Sequence, residues 1–287
     1  MHEHGRAFFH VLRVPYVCVL TPPPLFSLFL PGVAGKKNLQ RMNDAVSAAI
    51  RAVDEKKIIF YEPVTWGMVF SGDKVEVAGS GFEHAPDGDS AFSFHYYCNS
   101  FGGKPEVCDK TVGPLVFKAV KDDVKKLGGA AMQTEGMACP DGGGSGGGGG
   151  GSMDECNFVQ ELNDKHLMSW TDYGSSQGAQ WDLSEEQKST WARTYGRAIA
   201  GIPTMMKFDI KSATKDFELC WSVDATIGKE TEIFASKKYH YEEGVDVTVI
   251  GPVDQVESGD DDLFWFVNKA GATTGDEACV KLRRHTP

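Results

Sequence analysis

Between Asn38 and Lys57, Leu39, Met42, Val46, Ile50 and Val53 recur at helical spacing, with Arg, Asp and Ser on the other side. A helix packed through that stripe is predicted. "IIFYEPV" follows, a continuous apolar run stopped by Pro63, which predicts a short strand buried on both faces. After the turn-rich "GSGFEHAPDGDS" the beat repeats. "AFSFHYYC" reads as an aromatic strand, and Val116, Val120, Val124 and Leu127 form the stripe of a second helix that closes on "KKLGG". "AAMQTE" is the third predicted strand and "KHLMSWTDY" the fourth; between them Gly142–Gly151, broken only by Ser145, offers almost no side chain to bury and reads as a flexible insert. "SEEQKSTWARTYGRAIAGIP" is the next predicted helix, opened by a Ser184/Gln187 capping box and ended by Gly201 and Pro203.

Helices alternating with short buried strands predict an α/β fold built on a parallel sheet, open or closed into a barrel. Past Pro203 the rhythm changes. "MMKFDI", "DFELCWSV", "TEIFASKKYHY", "VDVTVIG" and "LFWFVNKAG" are strands separated by turn residues without helices, which predicts a small antiparallel β-sandwich over 203–287. Residues 1–35 match neither pattern, so the expected division is 1–35, 36–202 and 203–287.

Charge removes one class of partner. The chain has 287 residues and a net charge of -11 without a basic block, which argues against nucleic acid, whose phosphates demand clustered positive charge. The most apolar stretch, "AFFHVLRVPYVCVLTPPPLFSLFLPG", is interrupted by Arg13, Pro15 and Pro22–Pro24, so neither a membrane span nor a clear signal peptide is expected. The seven cysteines contain no C-x-x-C pair and no adjoining His spacing, which disfavours a structural zinc site. Cys98 with Cys108 and Cys139 with Cys156 are close enough in sequence to bridge surface loops; the alternative is a set of free buried thiols. Disulfides there would imply an oxidising compartment.

Candidate chemistry gathers at the C-terminal ends of the predicted parallel strands, where α/β sheets and barrels carry their sites. His95 and Tyr97 stand in "FHYYC", Glu135 in "QTEG" and Trp170 in "MSWTD". Each alone has an ordinary structural explanation. In this order, with "AIRAVDEKKIIFYEPVTW", "GSGFEHAPDG", "RTYGRAIAGIP", "MMKFD" and "TEIF", they resemble glycoside hydrolase family 5, endoglycoceramidase branch, over about residues 36–287. The resemblance implies strands five to eight of a (β/α)8 TIM barrel followed by the sandwich. It also implies that Glu135 is the nucleophile, Tyr97 its hydrogen-bond partner, His95 a lining of the glucose subsite and Trp170 the sugar platform. Trp66, Phe82 and Phe101 are further candidates for the sugar or lipid groove. The implied substrate is a glycolipid or β-glucoside, met with transient membrane-surface contact, in a secreted or lysosome- or vacuole-like setting; no cofactor is implied.

Retaining hydrolysis needs a second carboxylic acid about 5 Å from the nucleophile, and the resemblance assigns it to an Asn-Glu-Pro motif before Asn38. The chain has none, and residues 5–43 contain no Asp or Glu. Glu62, in "FYEPV", belongs to the fifth-strand pattern instead. The expected Phe between Glu135 and Gly136 is also missing. A half-barrel leaves two unpaired sheet edges, so the expectation is an incomplete gene product or degenerate paralogue of low activity. The alternatives are a non-catalytic glycolipid-binding relic and a β-glucosidase acting on glucosylceramide or steryl glucoside.

Overall fold

The computed structural model describes residues 31–63, 68–71, 74–77, 79–97, 108–136, 153–172, 184–257 and 260–286. Four strands, β1 (Ile59–Tyr61), β4 (Ser90–Tyr96), β5 (Ala130–Gly136) and β6 (Ser169–Trp170), form an all-parallel sheet in sequential order. A two-stranded hairpin, β2 (Met68–Ser71) with β3 (Lys74–Val77), lies between the first two in sequence and was not anticipated. Helix α1 (Gln40–Arg51) precedes β1, and α2 (Gly113–Leu127) and α3 (Met153–His166) make the β4–β5 and β5–β6 crossovers that parallel strands require, while the hairpin lies in the β1–β4 connection. One layer of the core is well filled. Phe92, Phe94 and Tyr96 from β4 meet Val116, Phe117 and Val120 of α2 and Val159 and Leu162 of α3, all buried.

Two predictions about this layer are corrected. The apolar stripe predicted for α1 meets the core only at its start, where Leu39 packs on it; Met42 and Val53 are 53% and 73% exposed, while Gln40 and Ser47 are buried. Gln40 is held by polar bonds, accepting from the Glu83 N–H at 3.0 Å and donating to Asp44 at 2.9 Å. Similarly β1 is buried on one face only. Ile59 and Tyr61 face the helices, whereas Phe60 is 50% exposed on the other side. The helix α3 escaped the periodicity reading because five of the eight residues it buries are polar, including Gln160, Asn163 and Asp164.

The predicted helix over 184–203 is also shorter. Its start is as expected, with Ser184 accepting from the Gln187 N–H and Gln187 capping in return, but α4 (Glu185–Trp191) stops after two turns. "RTYGRAIAGIP" then supplies strand β7 (Tyr195–Ala198), paired with β10 (Thr231–Phe234). The sandwich therefore begins before Gly201, not after Pro203. Tyr195 and Ile199 find apolar neighbours in the second unit that a helix would have turned away from.

Two four-stranded antiparallel sheets make that unit. One runs β12 (Val253–Val256), β13 (Leu263–Asn268), β10, β7; the other β11 (Val245–Ile250), β14 (Glu277–Arg284), β9 (Phe217–Val223), β8 (Gly201–Phe208). Alternation sets the faces: Phe217, Leu219, Trp221 and Val223 point inward while Glu218 and Cys220 point outward. Cys220 lies opposite Cys279 of β14, and the two are joined in a disulfide that the sequence reading had not paired. Cys156 is likewise disulfide-bonded. Cys98 and Cys139 lie outside the described residues.

Arg193, just before β7, ties the two units. It is 1% exposed, donates to Gln160 Oε1 at 2.8 Å and pairs with the buried Asp164, both on α3.

Candidate active site

Strand ends and one irregularity build the site. Along β4 and β5 the register runs Ser93 with Met132 and Phe94 with Gln133, then skips Thr134 and resumes at His95 with Glu135. In a regular strand consecutive side chains alternate faces, so this bulge turns both Thr134 and Glu135 toward the face that carries Ser93 and His95. The Ser93 and Thr134 hydroxyls meet at 2.5 Å. Gln133 clamps the bulge from the helical side: fully buried, it accepts from Asn163 Nδ2 at 2.7 Å and donates to the Glu135 carbonyl at 3.3 Å. From β6, Thr171 adds its own donors to the carbonyls of Gln133 and Thr134.

The glycine after the carboxylate has a steric cause. At Gly136 φ is 145°, and an added Cβ would lie 2.0 Å from the Gln133 amide nitrogen and 2.5 Å from the Tyr96 carbonyl oxygen. Only glycine fits there.

On this scaffold the Tyr97 hydroxyl donates to Glu135 Oε2 at 3.0 Å, and His95 Nδ1 lies 3.3 Å from the same oxygen. His95 Nε2 faces Glu62 Oε1 at 3.1 Å, at the end of β1. The imidazole is 14% exposed and both carboxylates 38%, so the chain of groups opens to the face away from the helices. Burial pushes the Glu62 carboxyl above its usual range; the positive charge of a protonated His95 opposes this and the Glu135 charge adds to it. A carboxylate held by a phenol and an imidazole at a strand end can act as a positioned nucleophile or as a receptor for sugar hydroxyls.

Glu135, Tyr97 and His95 are thus brought together. Trp170 is not with them. It pairs in register with Gln133, whose side chain is turned to the helical layer, and its indole packs on that core. There it lines a cavity of about 520 Å³ against the sandwich, with Trp191, Arg193, Tyr195 and Met206. Phe82 is fully buried against Tyr61, so it lines no groove. Trp66 and Phe101 lie outside the described residues. Glu62 is the site residue the sequence reading had set aside; its signal was a carboxylate followed by Pro63 at a strand end.

The family description "Cellulase (glycosyl hydrolase family 5)" matches residues 29–186, more than half of the chain, and "Glycoside hydrolase family 5 C-terminal domain" matches 193–281. The chain belongs to glycoside hydrolase family 5. The second match begins at Arg193, two residues before β7. Within the family the similarity is to endoglycoceramidases. The chain is 30% identical to the endoglycoceramidase of Cyanea nozakii over 80% of its own length and 44% of that protein. For that of Hydra vulgaris the figures are 31%, 89% and 47%. It therefore spans about half the length of these relatives. Among solved structures, the lactosyl-enzyme intermediate of endo-glycoceramidase II from Rhodococcus sp. superposes with a TM-score of 0.60 at 18% identity, covering 88% of this chain and 55% of that one. Sterylglucosidase 1 of Cryptococcus neoformans gives 0.58 at 15%, covering 88% and 45%. These two likenesses concern the fold.

Proposed function

We propose that the chain carries the nucleophile half of a retaining glycoside hydrolase of endoglycoceramidase type, which cleaves the β-glycosidic bond between glycan and ceramide. Its parallel sheet corresponds to strands five to eight of the barrel. The single observation that carries the reading is the Tyr97 hydroxyl donating to Glu135 at 3.0 Å across adjacent parallel strand ends. Glu135 attacks the anomeric carbon, Tyr97 holds the attacking oxygen's partner lone pairs, and His95 lines the sugar pocket. The names of the relatives support a glycolipid as substrate, and the cross-strand disulfide favours an oxidising compartment. The lipid is met in transient contact with a membrane surface; among the described residues no helix is long and apolar enough to cross a membrane.

Natural substrate is turned over poorly by this chain, because it contains no Asn-Glu-Pro motif to protonate the departing ceramide oxygen. The alternative reading is a non-catalytic glycolipid-binding relic. The two separate on a substrate that needs no acid. With a 2-fluoro-β-glycoside bearing a dinitrophenolate leaving group, Glu135 becomes glycosylated and the adduct persists, since water is not activated either. Mass spectrometry of the peptide then reads one added sugar on Glu135 and none in Glu135→Gln. Binding of the glycoside without any adduct supports the relic, and rapid release of ceramide from a labelled glycosphingolipid contradicts the impairment.

A further inference from the structure

Glu62 has no task in the reaction as proposed, yet its carboxylate is one of two that flank a single imidazole. His95 turns Nε2 to Glu62 and Nδ1 to Glu135, at 3.1 and 3.3 Å. Counting protons constrains this arrangement. A neutral imidazole has one N–H, so between two ionised carboxylates one ring nitrogen would present a lone pair to a negative oxygen. At this geometry Glu62 Oε1 is buried and makes no hydrogen bond; with Glu135 ionised as the nucleophile, both ring contacts are satisfied only when the Glu62–His95 pair holds one proton more. That proton sits on the ring, as an imidazolium between two carboxylates, or on Glu62, whose O–H then donates to Nε2. Both placements leave Nδ1–H directed at Glu135.

The general acid role is open to a simple geometric objection. The two ring nitrogens face opposite ways, so the imidazole keeps the two carboxylates on opposite sides of itself. A retaining pair instead needs its carboxyl groups about 5–5.5 Å apart with the glycosidic bond between them.

We propose that Glu62 is a positioning residue: with His95 it stores one shared proton and locks the ring so that Nδ1–H is donated to Glu135. The inference deepens the reading of Glu135 as nucleophile and rests on it for its catalytic meaning. Among the described residues the titratable groups facing the ring come from three strand ends: Glu62 after β1, Tyr97 after β4 and Glu135 on β5. The raised protonation range of Glu62, caused first by burial, agrees with a carboxyl that shares a proton. The consequence for Glu135 is a carboxylate held by two donors, Tyr97 and His95, on one oxygen, which leaves its other oxygen free to attack. The same two donors stabilise the carboxylate when it departs in the second step.

The test uses the full chain with ¹⁵N-labelled histidine, His95 being assigned by the resonances lost in His95→Asn. Near neutral pH, Nδ1 of His95 reads as protonated, and Nε2 is displaced from the free, unprotonated position toward the protonated one. In Glu62→Ala the Nε2 resonance alone returns to the unprotonated position; in Glu62→Gln, which keeps the shape of the side chain, it moves most of the way. An Nε2 signal that is the same in all three proteins, or a ring whose Nδ1 is unprotonated, overturns the proposal. A second measurement follows the rate of Glu135 labelling by the 2-fluoro-glycoside against pH. Glu62→Gln slows the maximal labelling rate roughly 10- to 100-fold and removes one titration from the profile, while the glycoside concentration for half-maximal rate stays the same. A change in that concentration alone, with the profile intact, assigns Glu62 to sugar binding and rejects positioning. Failure of wild-type labelling with the Nε2 response intact sinks the nucleophile reading and leaves the Glu62–His95 pairing standing.

Discussion

The two halves of this molecule each contain a four-stranded sheet, but only one of them finishes its core by itself. In the sandwich, two sheets face each other, and Leu219, Trp221, Ile233, Tyr241, Ala278, Val280 and Leu282 are all fully buried between them. Among the described residues the parallel sheet has helices on one face. Its other face presents Phe60, the Ser93–Thr134 contact and the Glu62–His95–Glu135 chain. Both units keep edge strands: β7, β8, β11 and β12 in the sandwich, and β1 and β6 in the parallel sheet, are paired on one side only among the described residues. A parallel sheet is stable when both faces are covered. Its open face is where the polar chemistry lies, whereas the sandwich turns the inner faces of both its sheets to its own core.

The sharpest way to break this division is at its hinge. Arg193→Met leaves Asp164, which is 3% exposed, as an uncompensated buried carboxylate on α3. The expected cost is about 3–5 kcal/mol, taken from the parallel half, so that thermal unfolding splits into two transitions with the sandwich melting later. Pairing it with Asp164→Asn restores most of the loss. A single transition in Arg193→Met, shifted as a whole, would show that the halves fold as one unit.

Acid probes the same seam more gently. His240 is fully buried; its Nε2–H donates to the Ser189 carbonyl of α4 at 2.8 Å, while Nδ1 has no acceptor for a second proton. Burial, aided by the charges of Lys215, Arg284 and Arg193, lowers its pKa to about 4. Against an unfolded value near 6.5, the unfolded chain binds the proton first, so stability is whole above about pH 6.5 and falls as pH drops toward 4. The loss amounts to on the order of 3 kcal/mol. Chemical denaturation at pH 7 and pH 4 measures it, and His240→Gln flattens the difference if this ring is its source.

The smallest effect belongs to the open face. Phe60 is half exposed, so Phe60→Thr changes stability by no more than about 0.5 kcal/mol but lowers binding of a hydrophobic dye and slows aggregation. By contrast, a large destabilisation would place Phe60 in a core and remove the asymmetry between the halves.

Much of the alternation was readable before any coordinates. The stripe Val116, Val120, Val124 and Leu127, the capping box at Ser184 and the strand-end positions of His95, Tyr97 and Glu135 all follow from local rules, because each depends on neighbours within a few residues. The errors share a cause. The stripe of α1, the single-sided burial of β1, the missed α3 and the overlong helix before β7 each turned on which surface the rest of the chain presented. Periodicity shows that a segment has two faces, not which one is covered.

By itself, then, the sequence determined the residue types and their order: a carboxylate, a phenol and an imidazole at successive strand ends, and a glycine where no Cβ has room. Only the tertiary structure decided that one skipped residue at Thr134 turns Glu135 to the face of His95, that Glu62 joins from a third strand, and that Trp170 turns away toward the sandwich. Side-chain direction in a strand reverses with every residue, so a one-position change in register decides which groups can touch. Register is set by long-range pairing between β4, β5 and β6, with Gln133 and Asn163 locking it, and no local pattern contains it.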